Sequence, residues 1–341
     1  MAFDEQLVEK YLERAMEEFA TNPLAVQLMR RLAIEGRELF VQAGMKLLQR
    51  QVDFSNEANV NAERMLGHLL LRQDTLLDRL ANPEESTRAK ATELFRRFQK
   101  MDASFDVRLA RKLPCRGAWS QPGAFDGGRS GRALDILDET SEGRRLLPIL
   151  GHLPDSQDPR ISARATLFVG KRVQSADWTA RQLSRSDPRI RANAVEALWG
   201  VKTATAMHLF DECVKDPHNR VAGNALVGLH IGGREDAIER VIEMSNDDLP
   251  ERRITSAWAM GRLAVDGFGE RLTEMVRDDD LNVRGMALRA LMLIRKTSPA
   301  PLEKRPDEQI TLETTIDIPV VQEDLVANID VRLDGKTFRA R

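Results

Sequence analysis

Five histidines and two cysteines are the side chains with most to offer catalysis in this 341-residue chain. None of His68, His152, His208, His218 and His230 belongs to an HExxH pair, the i, i+4 spacing that places two imidazoles on one helical face around zinc. His218 stands in a turn and His208 on the outward side of a helix, positions that read as surface. Cys115 and Cys213 lack the paired Cys/His spacing of a structural zinc site and cannot build a disulfide framework. Cys213 falls in an apolar column, so it reads as core. Cys115, beside Arg116 in a Gly-rich stretch, is the better placed for thiolate chemistry, which needs exposure and a cationic neighbour. The glycine cluster Gly127-Gly128-Arg129-Ser130-Gly131 lacks the Gly-Lys-Ser/Thr of a phosphate loop, and no strand precedes it. No G-x-S-x-G nucleophile elbow occurs. With no constellation for bond chemistry, the reading is a non-enzymatic protein with no cofactor and no metal.

The elements that carry these residues repeat. The phrase DPRIRANAVEALWG, residues 187–200, recurs when Ile190 is aligned with Ile161, Val221, Arg252 and Val283, at offsets of 29 and then 31 residues. Four positions on stand Ala165, Ala194, Ala225, Ser256 and Ala287; eight on stand Val169, Leu198, Leu229, Met260 and Leu291. Small and large side chains four apart make one face of a helix. Seven on, Phe168, Ala197, Gly228, Ala259 and Ala290 are mostly small and let neighbouring helices approach. A second apolar face precedes each copy, with Leu150, Thr179, Phe210, Val241 and Leu272 in one column and Leu153, Gln182, Cys213, Met244 and Met275 in the next. Turn signals lie between, such as Asp158-Pro159, Asp187-Pro188 and Asp216-Pro217, with Asp suited to accept backbone N–H groups and Pro to the first helical turn. Each unit is therefore helix, turn, helix, and stacking is what buries its apolar face.

Residues 190–198 and 283–291 (VRGMALRAL) resemble the second helix of a HEAT or HEAT-like repeat, with its D-x-x-V-R-x-x-A-x-x-A-L phrase. The resemblance spans 144–296, with an additional degenerate unit at 82–98, where Arg88, Ala91, Leu94 and Phe95 match. Ala222 in place of the motif's Arg, and Arg252 in an apolar column, depart from it. The resemblance implies an all-α fold, an α-α superhelix or HEAT-like solenoid. It also implies that Arg191, Arg253 and Arg284 bridge to turn aspartates such as Asp187 and Asp280, knitting adjacent units. The di-iron hydroxylases built on HEAT-type repeats use repeated His-Glu pairs, and no histidine here is followed by Glu.

The expected organisation is an N-terminal helical cap over 1–100, with helices near 3–20, 23–51 and 57–80. A Gly/Pro-rich loop and connecting helix follow over 101–140, where Trp119 and Phe125 should dock on their own chain. Five HEAT-like repeats fill 141–297, and a linker and β-strand tail 298–341. Alternation of Ile310, Leu312, Thr314, Ile316 and Ile318, and of Ala327, Ile329, Val331 and Leu333 before Asp334-Gly335, predicts strands and a short C-terminal β appendage.

In HEAT-type solenoids the second helices line the concave face. Three positions past the alignment point that row reads Arg164, Asn193, Asn224, Thr255 and Met286; six past, it reads Leu167, Glu196, Val227, Trp258 and Arg289. Apolar anchors among polar groups, Trp and Arg foremost, suit a protein partner, so Arg164, Leu167, Asn193, Glu196, Asn224, Val227, Trp258 and Arg289 are the predicted partner-binding residues. A nucleic-acid groove, as in the HEAT-type DNA-alkylation-repair proteins, would show repeated Lys/Arg with stacking aromatics; here Glu196 offsets Arg164 and Arg289. A bilin-lyase-like role shares only the repeat. The 51 basic and 53 acidic residues leave a net charge of −2, which gives no case for a nucleic acid or membrane surface. No apolar run reaches the ~20 residues of a membrane span, and the opening MAFDEQLVEK is unlike a secretory signal. The expectation is a soluble, cytoplasmic scaffold or adaptor with a protein partner, nucleic acid ranking second and membrane insertion excluded.

Overall fold

The computed structural model describes residues 4–49, 57–84, 87–114, 124–297, 331–333 and 336–338. The chain divides into two compact units, Met1–Arg172 and Val173–Arg341. Both are built of consecutive packed helices.

The first unit contains α1 (Glu5–Glu17), α2 (Leu24–Glu35), α3 (Arg37–Gln49), α4 (Glu57–Leu71), α5 (Asp74–Ala81), α6 (Arg88–Met101), α7 (Phe105–Ala110), α8 (Gly127–Thr140), the single turn α9 (Leu147–Leu150) and α10 (Pro159–Val173). The helix expected over 23–51 is two helices, because Arg37 takes a left-handed φ of 38° directly after Gly36. The helix expected over 57–80 also breaks, at Gln73, whose extended backbone opens α5 and whose Nε2 donates to the Ala33 carbonyl at 3.1 Å. The leucines on either side of that break, Leu66 and Leu70 before it and Leu76, Leu77 and Leu80 after it, are all buried. Phe105 sits against Phe95 and Phe98, at centroid distances of 5.1 and 5.5 Å.

The glycine cluster read as loop is helical. Asp126 caps α8 by accepting the Arg129 N–H at 2.8 Å, so Gly127 to Gly131 form its first turn. A Cβ on Gly131 would meet the guanidinium of Arg164 on α10, the flexible end of a long side chain. Phe125, just before the cap, is buried as expected and its N–H donates to the Lys112 carbonyl at 2.9 Å. Trp119 and Cys115 lie outside the described residues.

The second unit is a run of four helix hairpins: α11 (Ala176–Leu183) with α12 (Pro188–Ala197), α13 (Ala204–Cys213) with α14 (Asn219–Ile231), α15 (Asp236–Met244) with α16 (Pro250–Leu263), and α17 (Phe268–Met275) with α18 (Leu281–Thr297). The second helices form a layer in which α12 packs on α14, α14 on α16 and α16 on α18. Its core is the repeat columns themselves: Ala194, Ala225, Ser256 and Ala287 have no exposed surface, and Phe210, Val241 and Leu272 face them from the first helices. Small side chains decide how closely the layers meet. A Cβ on Gly261 would lie 2.8 Å from Ala290 of α18, and one on Gly228 would strike the Phe210 ring.

Beyond Thr297 the described residues are two three-residue strands, Val331–Leu333 and Lys336–Phe338, paired antiparallel with Val331 opposite Phe338. The alternating run 310–318 lies outside the described residues. Two short strands do not amount to the β appendage expected from the alternation, since an isolated pair has no core of its own.

Candidate functional site

The repeat arginines come first, because they fix the register of the second helices. Arg191, in the first turn of α12, places Nη1 on the carbonyl oxygens of Arg185 and Ser186 at 3.1 and 2.9 Å. Its Nε and Nη2 take the two oxygens of Asp216 at 2.9 and 3.0 Å. Arg253 repeats this on α16: Nη1 binds the Asp247 and Asp248 carbonyls, and Nε and Nη2 bind Asp278, both at 2.8 Å. Both arginines bridge to the turn of the next hairpin, so the partners are Asp216 and Asp278 and not the expected Asp187 and Asp280. Those two serve as helix caps. Asp187 accepts the Arg189 N–H at 2.9 Å, and Asp280 accepts those of Asn282 and Val283 at 2.8 and 3.1 Å. Arg284 makes the carbonyl half of the pattern, on Asp278 and Asp279. Where Ala222 replaces the arginine, the turn carboxylate Asp247 is met from its own hairpin by Arg252, whose Nε lies 2.7 Å away as an ion pair without hydrogen-bond alignment. That pair keeps a cation beside the carboxylate but stays within one hairpin.

The predicted partner-binding row divides under the structure. Asn193, Asn224 and Val227 are buried and offer nothing to a partner. Asn193 accepts from Arg220 Nη2 at 2.9 Å, and Asn224 Nδ2 donates to the Ala192 carbonyl at 2.9 Å, so both stitch α12 to α14. Glu196 is half-buried, with Arg220 Nη2 at 4.0 Å. Burial pushes the Arg220 guanidinium below its ordinary pKa and Glu196 opposes that shift. Arg289 is half-buried and donates to the Gly285 carbonyl of its own helix at 3.2 Å. Arg164 and Leu167 belong to α10 in the first unit, where Arg164 lies 3.8 Å from Asp135 of α8.

Trp258 remains partly exposed, and the structure supplies a partner that the sequence reading missed. Trp199 stacks with it at 6.4 Å between centroids and 28° between planes. Trp199 Nε1 donates to the Asn224 carbonyl at 2.8 Å, and the Trp258 ring reaches 4.0 Å from the Cβ position of Gly223. The two indoles, one from the turn that follows α12 and one from α16, therefore meet over α14. Arg262 completes the group, its guanidinium carbon 5.6 Å from the Trp199 centroid. An apolar platform edged by an exposed cation is the arrangement that binding hot spots favour. The available signal was Trp199 within the repeat phrase at 187–200, two units before Trp258.

Chemistry remains poorly served. Burial, with the Asp216 and Glu212 charges, pushes the Cys213 thiol up to about 12, which keeps it protonated. Among the described residues no group of three or more His, Cys, Asp or Glu side chains could hold a metal ion. Among the same residues no helix is long and apolar enough to cross a membrane. Residues 176–261, which carry Trp199, Trp258 and the two-toothed Arg191 and Arg253, match the family model described as HEAT repeats. No curated protein matches the chain.

Proposed function

We propose that this HEAT-repeat chain is a non-enzymatic scaffold or adaptor that holds a protein partner on the surface lined by its second helices. The observation that carries the reading is the Trp199–Trp258 stack with Arg262 at its edge. Partly exposed tryptophans backed by a rigid helix layer bind through shape and desolvation, with little ordering cost. On the second helices the carboxylate of Glu196 stands beside Arg220, and the chain as a whole carries 51 basic against 53 acidic residues, which favours a partner surface of mixed charge over a polyanion. In this reading the protein works in the cytoplasm, without cofactor or metal, and the selectivity lies in which side chains meet the indoles.

The test compares proteins recovered with the intact chain against those recovered with Trp258→Ala and Arg262→Ala, in reciprocal pull-downs quantified by mass spectrometry. The platform reading expects a specific partner to fall at least tenfold with either variant while the helical content is unchanged. An unchanged set of partners would remove it. Tight retention on heparin or DNA that weakens steeply with salt would favour the nucleic-acid reading instead, since counterion release makes phosphate contacts salt-dependent.

A further inference from the structure

Among the described residues no helix follows α18 in the second unit, and α18 has an outer face that its predecessors do not have. In the interior of the stack, each second helix turns one face toward the following one, and Gly261 of α16 closing on Ala290 of α18 marks that face. The residues that share the face one turn earlier are Val195, Leu226 and Ala257, which are 1%, 2% and 0% exposed. Their counterpart on α18 is Leu288, and it is 44% exposed. The counterpart of Gly261 is Met292, 53% exposed, and Leu281 at the start of the helix is 52% exposed. A terminal repeat that ends in water carries a polar outer face; this one carries leucine and methionine.

The spacing on that face is informative. Leu281, Gly285, Leu288, Met292 and Arg295 follow one another at steps of four, three, four and three residues, the seam that keeps two helices in register along their lengths. Gly285 in the seam carries no side chain of its own, and the Arg289 guanidinium lies 3.6 Å from its Cβ position. The charges are arranged end against end: Asp279 is exposed at the N-terminal end of the helix and Arg295 is exposed at the other. Two such helices laid antiparallel about Leu288 set Arg295 of each beside Leu281 and Asp279 of the other, and oppose their helix dipoles favourably. Arg284 does not compete for this, because its Nη1 is held by the Asp278 and Asp279 carbonyls.

We infer that α18 is a self-association surface, on which a second copy of this chain docks antiparallel with Leu288 against its own counterpart. A seam of about two heptads buries less than the ~1,200 Å² of a standard stable interface, so the pair is a weak, concentration-dependent one. The inference is independent of the tryptophan platform, which lies at the end of the first hairpin of the second unit and on α16.

The experiment uses the full chain. Sedimentation velocity over a concentration series should shift from monomer toward dimer, and Leu288→Glu should hold the chain at monomer with unchanged circular dichroism. Arg295→Glu and Asp279→Lys should each weaken the pair severalfold, and the double variant should restore it, a rescue that only the antiparallel arrangement provides. In a Cys115→Ser background, Leu288→Cys should cross-link to itself with a short bismaleimide, while Ile242→Cys, at an exposed site on α15, should not. A monomer at every concentration overturns the inference, as does a dimer indifferent to Leu288→Glu. So does a thiol introduced by Leu288→Cys that is shielded from maleimide in the monomer, which would mean that other residues of the same chain cover the face.

Discussion

Arg191 and Asp216 are joined by two parallel N–H···O bonds across 25 residues of sequence, and Arg253 and Asp278 are joined in the same way across the same separation. The remaining amino group of each arginine closes on two carbonyls of the preceding turn. One side chain thus fixes both the turn that enters its own helix and the turn of the next hairpin. Two-toothed geometry makes such a bond strong for its exposure, and lysine could not reproduce it.

Arg253→Ala should therefore destabilise the second unit by about 1–3 kcal/mol, since it leaves Asp278 and two turn carbonyls without their donor. Arg253→Lys should recover only part of the loss. Urea denaturation gives both values, and a double-mutant cycle with Asp278→Asn isolates the pair. An Arg253→Ala chain as stable as the parent would show that the bond is ornamental.

The 31-residue period is enough to locate the helices of the second unit, because the small columns at Ala194, Ala225 and Ala287 recur wherever hairpins must approach. Periodicity does not tell which side chains remain outside. Asn193 and Asn224 have the register of an open row, but long-range bonds to Arg220 and to the Ala192 carbonyl draw them into the seam between α12 and α14. Val227 has the right register for an exposed anchor and is buried in α14, the helix over which two indoles from its neighbours meet. Such contacts belong to the stacked state and leave no local pattern. The Arg-to-Asp spacing of 25 residues, by contrast, can be read in the chain; it is overlooked when each arginine is paired with the turn nearest in sequence. The breaks at Arg37 and Gln73 have no repeated phrase to reveal them.

Gly261→Ala tests how closely the second helices must pack. Its Cβ would stand 2.8 Å from both Cα and Cβ of Ala290, where no flexible side chain can swing aside. Although alanine favours a helix by about 1 kcal/mol over glycine, the clash should dominate and lower stability by about 1–3 kcal/mol. Gly269, on α17 with nothing near its Cβ position, is the control, and Gly269→Ala should be neutral or stabilising. A Gly261→Ala chain more stable than the parent would mean that α16 and α18 can part at little cost.

His218 and Asp278 both contribute to the acid side of the stability profile. Burial is the main cause that holds His218 below its ordinary value, with Asp216 opposing. The unfolded chain then takes up the proton first, so stability falls as the pH drops through about 6.5 and levels off below the folded value. The Arg253 hydrogen bonds hold Asp278 below the ordinary carboxylate range. Its contribution is complete above about pH 5 and is lost as the pH falls through the depressed folded value. Urea midpoints measured from pH 8 to pH 3 should show both steps; His218→Gln should flatten the upper one and Asp278→Asn should reduce the lower one, to which Asp138, Asp187, Asp216 and Asp236 also contribute. Persistence of the upper step in His218→Gln would assign it to another group.

Cys213 should behave as a hydrocarbon. With its thiol pushed up to about 12 by burial and by the nearby Asp216 and Glu212 charges, the thiolate that attacks disulfide reagents is scarce at neutral pH. In a Cys115→Ser chain, reaction with Ellman's reagent at pH 8 should proceed only as fast as the second unit opens, and should accelerate sharply in urea. Cys213→Ala should cost about 1 kcal/mol for the buried sulfur it removes, leaving any partner binding at the tryptophan platform unchanged. Rapid labelling of the folded Cys115→Ser chain would instead place the thiol within reach of solvent and reopen a chemical role for it.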